Sequence, residues 1–239
     1  VQNVEKLVQR QKLTPEQRDD IFARLVYTTA SQLCVGDIVI EAIVENAAIK
    51  HLLFQNLEQV NTTETVICSN TSSLSITQLA NTLQHPQRFA GLHFFNPATL
   101  MQLVEIVRHN AMDNQIVSQL QEFCIELQKT PVVCSDAPGF IVNRVARHYY
   151  LEAMRLKLQH PTFSYTNIDQ CLTAHGFKMG AFSLMDLIGL DINYAVSKQV
   201  WTDLGMPNRL TPSPLQAEKI AENKLGKKTG EGFYKYETK

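Results

Sequence analysis

Two short apolar segments each carry one side chain that could move or steer a proton. The first, residues 91–97, contains His93, and the second, residues 102–107, contains Glu105. If the segments pair as antiparallel strands folded near Thr99, these two residues lie directly opposite each other, with Cβ atoms about 4.5–5.5 Å apart. At that spacing a carboxylate can fix the tautomer of an imidazole and stabilise its protonated form. The pair is therefore a candidate general base and its orienting group.

The same pair also has a purely structural interpretation. A His and a Glu on neighbouring strands are often a hydrogen-bonded, half-buried polar pair that performs no chemistry. Strand geometry taken alone favours this second interpretation, so other segments of the chain must decide between the two.

Five segments together resemble the 3-hydroxyacyl-CoA dehydrogenase family. They read VIEAIVEN at 39–46, SNTSSL at 69–74, GLHFFNP at 91–97, PGFIVNR at 138–144 and GKKTGEGFY at 226–234. The resemblance follows the family's own order and covers almost the whole chain. It implies an NAD-dependent oxidoreductase of fatty acid β-oxidation or hydroxybutyryl metabolism.

One part of the family pattern is absent from the sequence. Members of the family open with a strand, a Gly-x-Gly-x-x-Gly turn and a helix that bind the pyrophosphate. The ten glycines include no such triplet, residues 1–8 already have the periodicity of an amphipathic helix, and there is no initiator Met. The chain is therefore expected to begin inside a domain. Either it is a fragment of a longer protein, or it has lost dinucleotide binding.

Composition is typical of a globular enzyme. With 239 residues, 44% of them apolar and 19% charged, the chain can bury a substantial core in one large or two modest domains. A formal net charge of −1 argues against nucleic acid or an anionic membrane as the main partner. No apolar run approaches the roughly 20 residues of a membrane span.

The cysteines and the remaining histidines suggest neither disulfides nor a metal site. The five cysteines form no Cys-x-x-Cys pair and have no His at zinc spacing, so we expect reduced thiols that serve as small core residues. Reduced thiols predict an intracellular compartment. We expect the cytoplasm, with the mitochondrial matrix as the alternative. We expect structural or surface roles for the six other histidines, which are His51, His85, His109, His148, His160 and His175.

Strand and helix signals alternate up to about residue 134. A capping-box sequence at 14–17 predicts a helix start with Pro15 at its first position. Apolar residues predict a strand over 37–44 that is buried on both faces, a helix over 49–60, a strand over 65–69, a helix over 116–127 and a strand over 131–134. Such alternation is typical of a parallel sheet covered by helices.

The pattern becomes helical beyond residue 135. Helical periodicity extends over 140–158, 165–174, 182–187, 191–204 and 214–225, with Pro138 placed to open the first of these helices. The fold class is therefore α/β plus all-α. Residues 1–135 are predicted to form a truncated, Rossmann-type NAD-binding domain, and residues 136–239 an all-helical C-terminal domain. The resemblance implies that the second domain forms a homodimer.

Polar residues cluster at the predicted strand ends, where open α/β sheets bind ligands. Glu45, Ser72 and Asn96 all fall at or just past such ends, and Asn143 lies in an early turn of the first helix after the linker. From the residues alone, a Ser-rich loop is more often a turn, and a lone Asn is more often a surface residue.

The resemblance assigns roles to these positions. The implied catalytic set is His93 as general base, Glu105 as its orienter, and Ser72 and Asn143 as donors to the substrate oxygen. The implied NAD-binding set is Glu45, Lys50, Asn70, Ser72, Asn96 and Lys228. A preference for NAD over NADP follows from the resemblance only. The implied reaction interconverts a (3S)-3-hydroxyacyl-CoA and a 3-ketoacyl-CoA.

A different class of function stays open at this point. The chain could be a non-catalytic module that binds CoA thioesters or oligomerises, keeping the substrate side and the helical domain. The presence of the whole catalytic set favours the enzyme. The missing glycines favour the module only if the chain is naturally this short.

Overall fold

A five-stranded sheet forms the centre of the first half of the molecule. The computed structural model describes residues 2–237. The strands are β1 (Ile38–Glu41), β2 (Val66–Ser69), β3 (Phe89–Phe94), β4 (Leu103–Arg108) and β5 (Thr130–Ser135), and they lie side by side in chain order. Three pairings are parallel, and β3 with β4 is antiparallel. The sheet is thus mostly parallel, as the alternating pattern predicts.

Four of the five α-helices of this half begin after a polar residue whose side chain caps the first turn, which explains their starting points. They are α1 (Gln2–Gln9), α2 (Pro15–Ala23), α3 (Ala47–Val60), α4 (Ile76–Ala80) and α5 (Asn114–Glu126). Thr14 and Gln17 form the predicted capping box, and at the start of α3 the side chain of Asn46 accepts the backbone N–H of Ile49. A side-chain oxygen at these positions accepts a backbone N–H that the helix itself cannot satisfy.

Strand β1 corrects one expectation. The apolar run 37–44 predicts a strand buried on both faces, but β1 has only four residues, and Ile40 is 38% exposed. The reason is its place in the sheet: among the described residues, β1 pairs only with β2 and therefore forms an edge. The apolar run predicts the strand correctly, but it does not determine whether other segments bury both faces of that strand.

Two apolar clusters pack on the two faces of the sheet. Because side chains alternate along a strand, Phe89 of β3 packs against α3 and α4, whereas Leu92 packs against α5. By the same alternation, His93 and Glu105 lie on the α4 face. The linker residue Phe140 belongs to the cluster on that face. The face that carries the candidate base is therefore the one that the linker covers.

The second half is helical, in agreement with the predicted fold class. Its helices are α6 (Val142–Gln159), α7 (Tyr165–Ala174), α8 (Ala181–Ile188), α9 (Leu190–Asp203) and α10 (Pro214–Ala221). They surround a core that includes Met154, Phe182 and Leu190. Pro138 does not open α6, because Gly139 and Phe140 have φ values of +73° and +48° and break the helical path before Val142.

A buried carboxylate fastens the C-terminal segment to this core. Asp186 of α8 accepts hydrogen bonds from the backbone N–H groups of Phe233 and Tyr234 and from the hydroxyl of Tyr236. A Cβ atom at Gly226 or Gly232 would collide with Asp186, so these two glycines permit the close approach. This packing accounts for Gly226 and Gly232, two of the three glycines of the GKKTGEGFY segment.

The expectation that all five cysteines lie in the core is wrong for two of them. Cys68, Cys124 and Cys134 are buried, but Cys34 and Cys171 are exposed, and none forms a disulfide. Residue type alone does not distinguish the two groups, because a cysteine is small enough for either environment. Within residues 2–237, no helix is both long and apolar enough to cross a membrane.

Candidate active site

His93 and Glu105 face each other across the β3–β4 pair, which confirms the predicted register. The His93 Nδ1 atom lies 2.8 Å from Glu105 Oε2, and both residues are buried, with 5% and 0% of their surface exposed. Because a carboxylate can only accept a hydrogen bond, Nδ1 carries the proton and Nε2 keeps its lone pair. This is the tautomer in which Nε2 can act as a base.

Aromatic rings enclose the imidazole. The ring of Phe95 lies 4.5 Å from that of His93, and the ring of Phe140 lies 5.8 Å away in an edge-on arrangement, measured between centroids. Phe140 comes from the linker before α6, so the helical half completes the wall of the site. Exclusion of water strengthens the interaction of His93 with the carboxylate behind it.

The second oxygen of Glu105 contacts the start of α6. Oε1 accepts hydrogen bonds from the backbone N–H groups of Ile141, at 3.0 Å, and Val142, at 2.8 Å. The sequence gives no sign of this contact, because the partners are 36 and 37 positions apart and belong to different halves of the chain.

Ser72 and Asn143 meet at the junction of the two halves. The Asn143 Nδ2 atom donates to the backbone carbonyl of Ser72 at 3.4 Å. The Ser72 hydroxyl makes no hydrogen bond to another residue within 2–237, so it remains available as a donor. A cleft of about 340 Å³ is lined by the neighbouring residue Ser73 together with residues that include Asp136 and Gln199, but neither Ser72 nor Asn143 is among its lining residues. Asn143 therefore contacts the Ser72 loop through a backbone carbonyl, and the meeting of the two side chains in one crevice stays a prediction.

Glu45 is held by the loop that carries Ser72. Its Oε1 atom accepts from the Thr71 hydroxyl at 2.6 Å, the Ser73 hydroxyl at 3.0 Å and the backbone N–H of Ser72 at 3.1 Å. Partial burial opposes ionisation, but hydrogen bonds from Thr71 and Ser73 and the charge of Lys50 lower the pKa of Glu45. Glu45 is thus an ionised, partly exposed acceptor beside Ser72.

Lys50 lies beneath Glu45 in a buried ionic network. Its Nζ atom contacts Glu41 Oε1 at 2.6 Å, Glu45 Oε2 at 3.4 Å and the Ile43 carbonyl at 3.4 Å. Only 1% of the Lys50 side chain is exposed. The contacts with Glu41 and Ile43 are hydrogen bonds, and the contact with Glu45 is an ion pair.

Of the remaining predicted cofactor residues, Asn70 adjoins this network, because its backbone N–H donates to the Glu41 carbonyl at 2.8 Å. The Asn70 Oδ1 atom accepts from the Phe94 N–H at 2.8 Å, which links the end of β2 to β3 beside His93. Asn96, two residues past β3, is exposed and makes no side-chain hydrogen bond within the described part of the chain.

Lys228 lies apart from the other predicted cofactor residues. Its Nζ atom pairs with both carboxylate oxygens of Asp191, at 2.6 Å, in the first turn of α9. The opposite half of α9 packs against the linker, since Val200 adjoins Gly139. The two positions are nine residues apart on a helix, a distance of about 14 Å. Within the described chain, Lys228 therefore does not join the other predicted residues.

Sequence reasoning missed two residues that shape the site. Glu41 binds Lys50 and accepts from the Ser69 hydroxyl at 2.7 Å, while being only 3% exposed. Phe140 covers His93. An acidic residue within the apolar run 38–44 is a usable signal for Glu41, because buried carboxylates are rarely left unpaired. The position of Phe140 depends on the linker path, for which the sequence has no periodic signal.

Comparison with known proteins identifies the family. Residues 1–137 match the family model described as 3-hydroxyacyl-CoA dehydrogenase, NAD binding domain, and residues 139–236 match the model of the C-terminal domain. The chain belongs to the 3-hydroxyacyl-CoA dehydrogenase family. The resemblance found in its motifs is thereby confirmed.

Curated members of the 3-hydroxyacyl-CoA dehydrogenase family are similar over most of this chain. The 3-hydroxyadipyl-CoA dehydrogenase of Escherichia coli K12 is 44% identical over 95% of the chain and 48% of its own length. The mitochondrial hydroxyacyl-coenzyme A dehydrogenase of Sus scrofa is 46% identical over 87% of the chain and 66% of its own length. The chain thus spans about half to two thirds of the length of these relatives.

A solved structure of the family has the same fold. The crystal structure of 3-hydroxybutyryl-CoA dehydrogenase from Escherichia coli K12 superposes with a TM-score of 0.94 at 42% identity. The match covers 99% of this chain and 50% of that protein. The sheet and the helical half are therefore arranged as in a family member.

The donor and acceptor groups beside His93 and Ser72 have the chemistry to bind a ribose of NAD, the cofactor named by the first family model. Glu45 offers a carboxylate that is 38% exposed and ionised, which can accept hydrogen bonds from ribose hydroxyl groups. Asn70 has its Oδ1 atom engaged with Phe94, so its amide N–H groups remain for a ligand. The donor and acceptor chemistry of these side chains suits a sugar.

Proposed function

We propose that this chain carries the proton-transfer and substrate-binding residues of an NAD-dependent 3-hydroxyacyl-CoA dehydrogenase. The reaction interconverts a (3S)-3-hydroxyacyl-CoA and a 3-ketoacyl-CoA. One observation supports this above all others: a buried His93–Glu105 pair lies on the sheet face that the linker closes, in a chain whose family is established.

His93 is the general base in this proposal. Glu105 holds Nδ1–H, so the lone pair of Nε2 removes the proton of the substrate alcohol. When bound, NAD would supply the hydride acceptor for C3, the carbon atom that bears this hydroxyl group. In the reverse direction the imidazolium returns the proton to the oxygen, and the carboxylate of Glu105 stabilises that cation. General base catalysis of this kind contributes about 10²–10⁴-fold in rate.

Ser72 and Asn143 bind the reacting oxygen. The Ser72 hydroxyl and the Asn143 amide are both hydrogen-bond donors, and the 3.4 Å contact of the Asn143 amide with the Ser72 carbonyl supports a joint role. Donors directed at an oxygen that gains negative charge lower the barrier to its deprotonation. We assign them to the substrate rather than to the fold because the Ser72 hydroxyl has no partner within residues 2–237.

We assign the side chains of Glu45 and Asn70 to the nicotinamide ribose, and Ser72 and Asn96 complete the proposed NAD-binding set. Lys50 supports Glu45 from below. Lys228 pairs with Asp191 in this structure. For its proposed cofactor role, the Lys228 side chain must therefore come from a second copy of the chain, or α9 must move.

The helical half is the proposed dimer interface. Apolar side chains of α6, α8 and α9 remain exposed there, including Val145 at 64%, Leu187 at 50% and Ile192 at 52%. Association would remove this surface from water. A dimer mass in light scattering supports the proposal, and a monomer at micromolar concentration contradicts it.

The proposed compartment is the cytoplasm, with the mitochondrial matrix as the alternative. The relative from Sus scrofa is named as mitochondrial, whereas the other relative is bacterial. Fractionation of cells that produce the full-length protein distinguishes the two compartments.

The test is oxidation of NADH by this polypeptide with acetoacetyl-CoA as the acceptor. Turnover supports the proposal. A folded protein that binds acetoacetyl-CoA without oxidising NADH would instead be the non-catalytic thioester-binding module. A folded protein that does neither would contradict both functions for this polypeptide.

A further inference from the structure

The two oxygens of Glu105 contact the two halves of the molecule. Oε2 holds His93 on the sheet at 2.8 Å, while Oε1 accepts the N–H groups of Ile141 and Val142. We infer that Glu105 is also the positioning residue for Asn143. By capping the first turn of α6, its carboxylate sets that amide against Ser72, so one group aligns both the base and a substrate donor. This inference rests on the proposed function.

Helix α6 depends on this carboxylate because it has no cap of its own. The N-cap position is Ile141, an apolar residue that makes no side-chain capping hydrogen bond. The N–H groups of Arg144 and Val145 reach the carbonyls of Gly139 and Ile141, whereas those of Ile141 and Val142 reach Glu105. A carboxylate at a helix N-terminus also interacts favourably with the helix dipole.

The position of Asn143 follows from this turn. Asn143 is the second residue of α6, directly after Val142, and its Nδ2 atom lies at the outer limit of a hydrogen bond to the Ser72 carbonyl, at 3.4 Å. A shift of the first turn would separate these two groups. Removal of the Glu105 carboxylate leaves the N–H groups of Ile141 and Val142 without their acceptor, which favours such a shift.

Two substitutions separate the roles of Glu105. Glu105→Gln keeps an oxygen that can accept from Ile141 and Val142, but its amide N–H then donates to His93 Nδ1 and moves the imidazole proton to Nε2. Glu105→Leu fills the same space and removes both oxygens. Glu105→Asp keeps the charge but is one methylene shorter, so it cannot span both contacts, and it serves if the Leu variant fails to fold.

The first readout is amide hydrogen exchange at Ile141 and Val142, which requires no ligand. We expect exchange close to wild type in Glu105→Gln and about tenfold faster exchange in Glu105→Leu or Glu105→Asp, as for the loss of one net hydrogen bond. Unchanged exchange in both of the latter variants would overturn the capping role.

The second readout is the dissociation constant for acetoacetyl-CoA, compared with that of Asn143→Ala. We expect near wild-type binding in Glu105→Gln, despite its lost turnover, and about tenfold weaker binding in Glu105→Leu. The double variant Glu105→Leu/Asn143→Ala should bind no more weakly than Glu105→Leu alone, because both changes remove the same contact. Additive losses would overturn the inference.

The same measurements distinguish failure of the proposed function from failure of the inference about Asn143. Absence of acetoacetyl-CoA binding by the wild-type protein would contradict the proposed function. Fast amide exchange in Glu105→Leu, together with wild-type affinity, would leave that function intact and contradict the positioning of Asn143.

Discussion

At the scale of single residues, the site is built on buried charges that hold one another. Lys50 and Glu41 form an ion pair with 1% and 0% of their side chains exposed, and the Ser69 hydroxyl donates a hydrogen bond to the same carboxylate. Removal of one partner of such a pair lowers the stability of the fold, because the other charge is then buried without a counter-ion and without water. The function of the pair here is to support Glu45, which in turn holds the Ser72 loop.

Lys50→Met tests this arrangement. We expect the free energy of unfolding to fall by about 3–5 kcal/mol, because Glu41 is left buried without a cation. The double variant Glu41→Leu/Lys50→Met should regain most of that loss, since no buried charge remains. Urea denaturation measures both. Equal stability of Lys50→Met and the wild type would contradict the buried network.

Glu45 gives a prediction for acid stability. Its folded-state pKa lies below the ordinary value of 4.5, so the unfolded chain binds its proton first as the pH falls. The stabilisation is therefore present above about pH 4.5 and is lost as the pH falls through the lower, folded-state value. We expect Glu45→Gln to flatten this acid-side decrease in denaturant titrations. An unchanged slope would contradict the lowered pKa.

At the scale of elements, the linker between β5 and α6 brings the two halves together. Gly139 has a φ of +73°, and a Cβ atom there would lie 2.8 Å from Val200 Cγ2 and 2.9 Å from the Arg144 nitrogen. Its backbone path places Phe140 on His93 and starts α6 above Glu105. The linker is thus part of the site.

Gly139→Ala should be more damaging than Gly176→Ala. Both residues have positive φ, which costs an alanine about 1–2 kcal/mol, but Gly176 has no atom within 4 Å of the added Cβ. At Gly139, overpacking against α9 adds about 1–3 kcal/mol. Chemical denaturation of the two variants gives the comparison. Equal losses would show that Gly139 is not closely packed.

Local sequence patterns predict the helices and strands well, but they predict less well which other segments pack against each of them. The helices α3 and α5 to α10, and the register of His93 with Glu105, follow from local patterns. The exposure of β1, the start of α6 beyond Pro138 and the contact of Glu105 with Val142 do not. These features depend on which distant segments meet, and no short-range period encodes that.

At the scale of the whole molecule, burial divides the cysteines into two classes. Burial raises the pKa of the Cys124 thiol to about 11 and that of Cys134 to about 12, and it raises the pKa of Cys68 as well. Protonated, enclosed thiols are poor nucleophiles. Cys34 and Cys171, by contrast, are exposed.

A thiol reagent such as DTNB should therefore modify two cysteines in the native protein and all five in denaturant. We expect Cys34→Ser/Cys171→Ser to abolish the fast native reaction while leaving three thiols to react after unfolding. A third thiol that reacts at the native rate of the first two would contradict the predicted packing of the sheet.

The most direct measurement of the central claim is the rate of NADH oxidation with acetoacetyl-CoA for His93→Gln. The matched control is His160→Gln, a change at an exposed position at the end of α6. We predict that His93→Gln lowers kcat by about 10²–10⁴-fold with an unchanged circular dichroism spectrum, and that the control keeps wild-type turnover. Wild-type turnover in His93→Gln would contradict the assignment of His93 as the base.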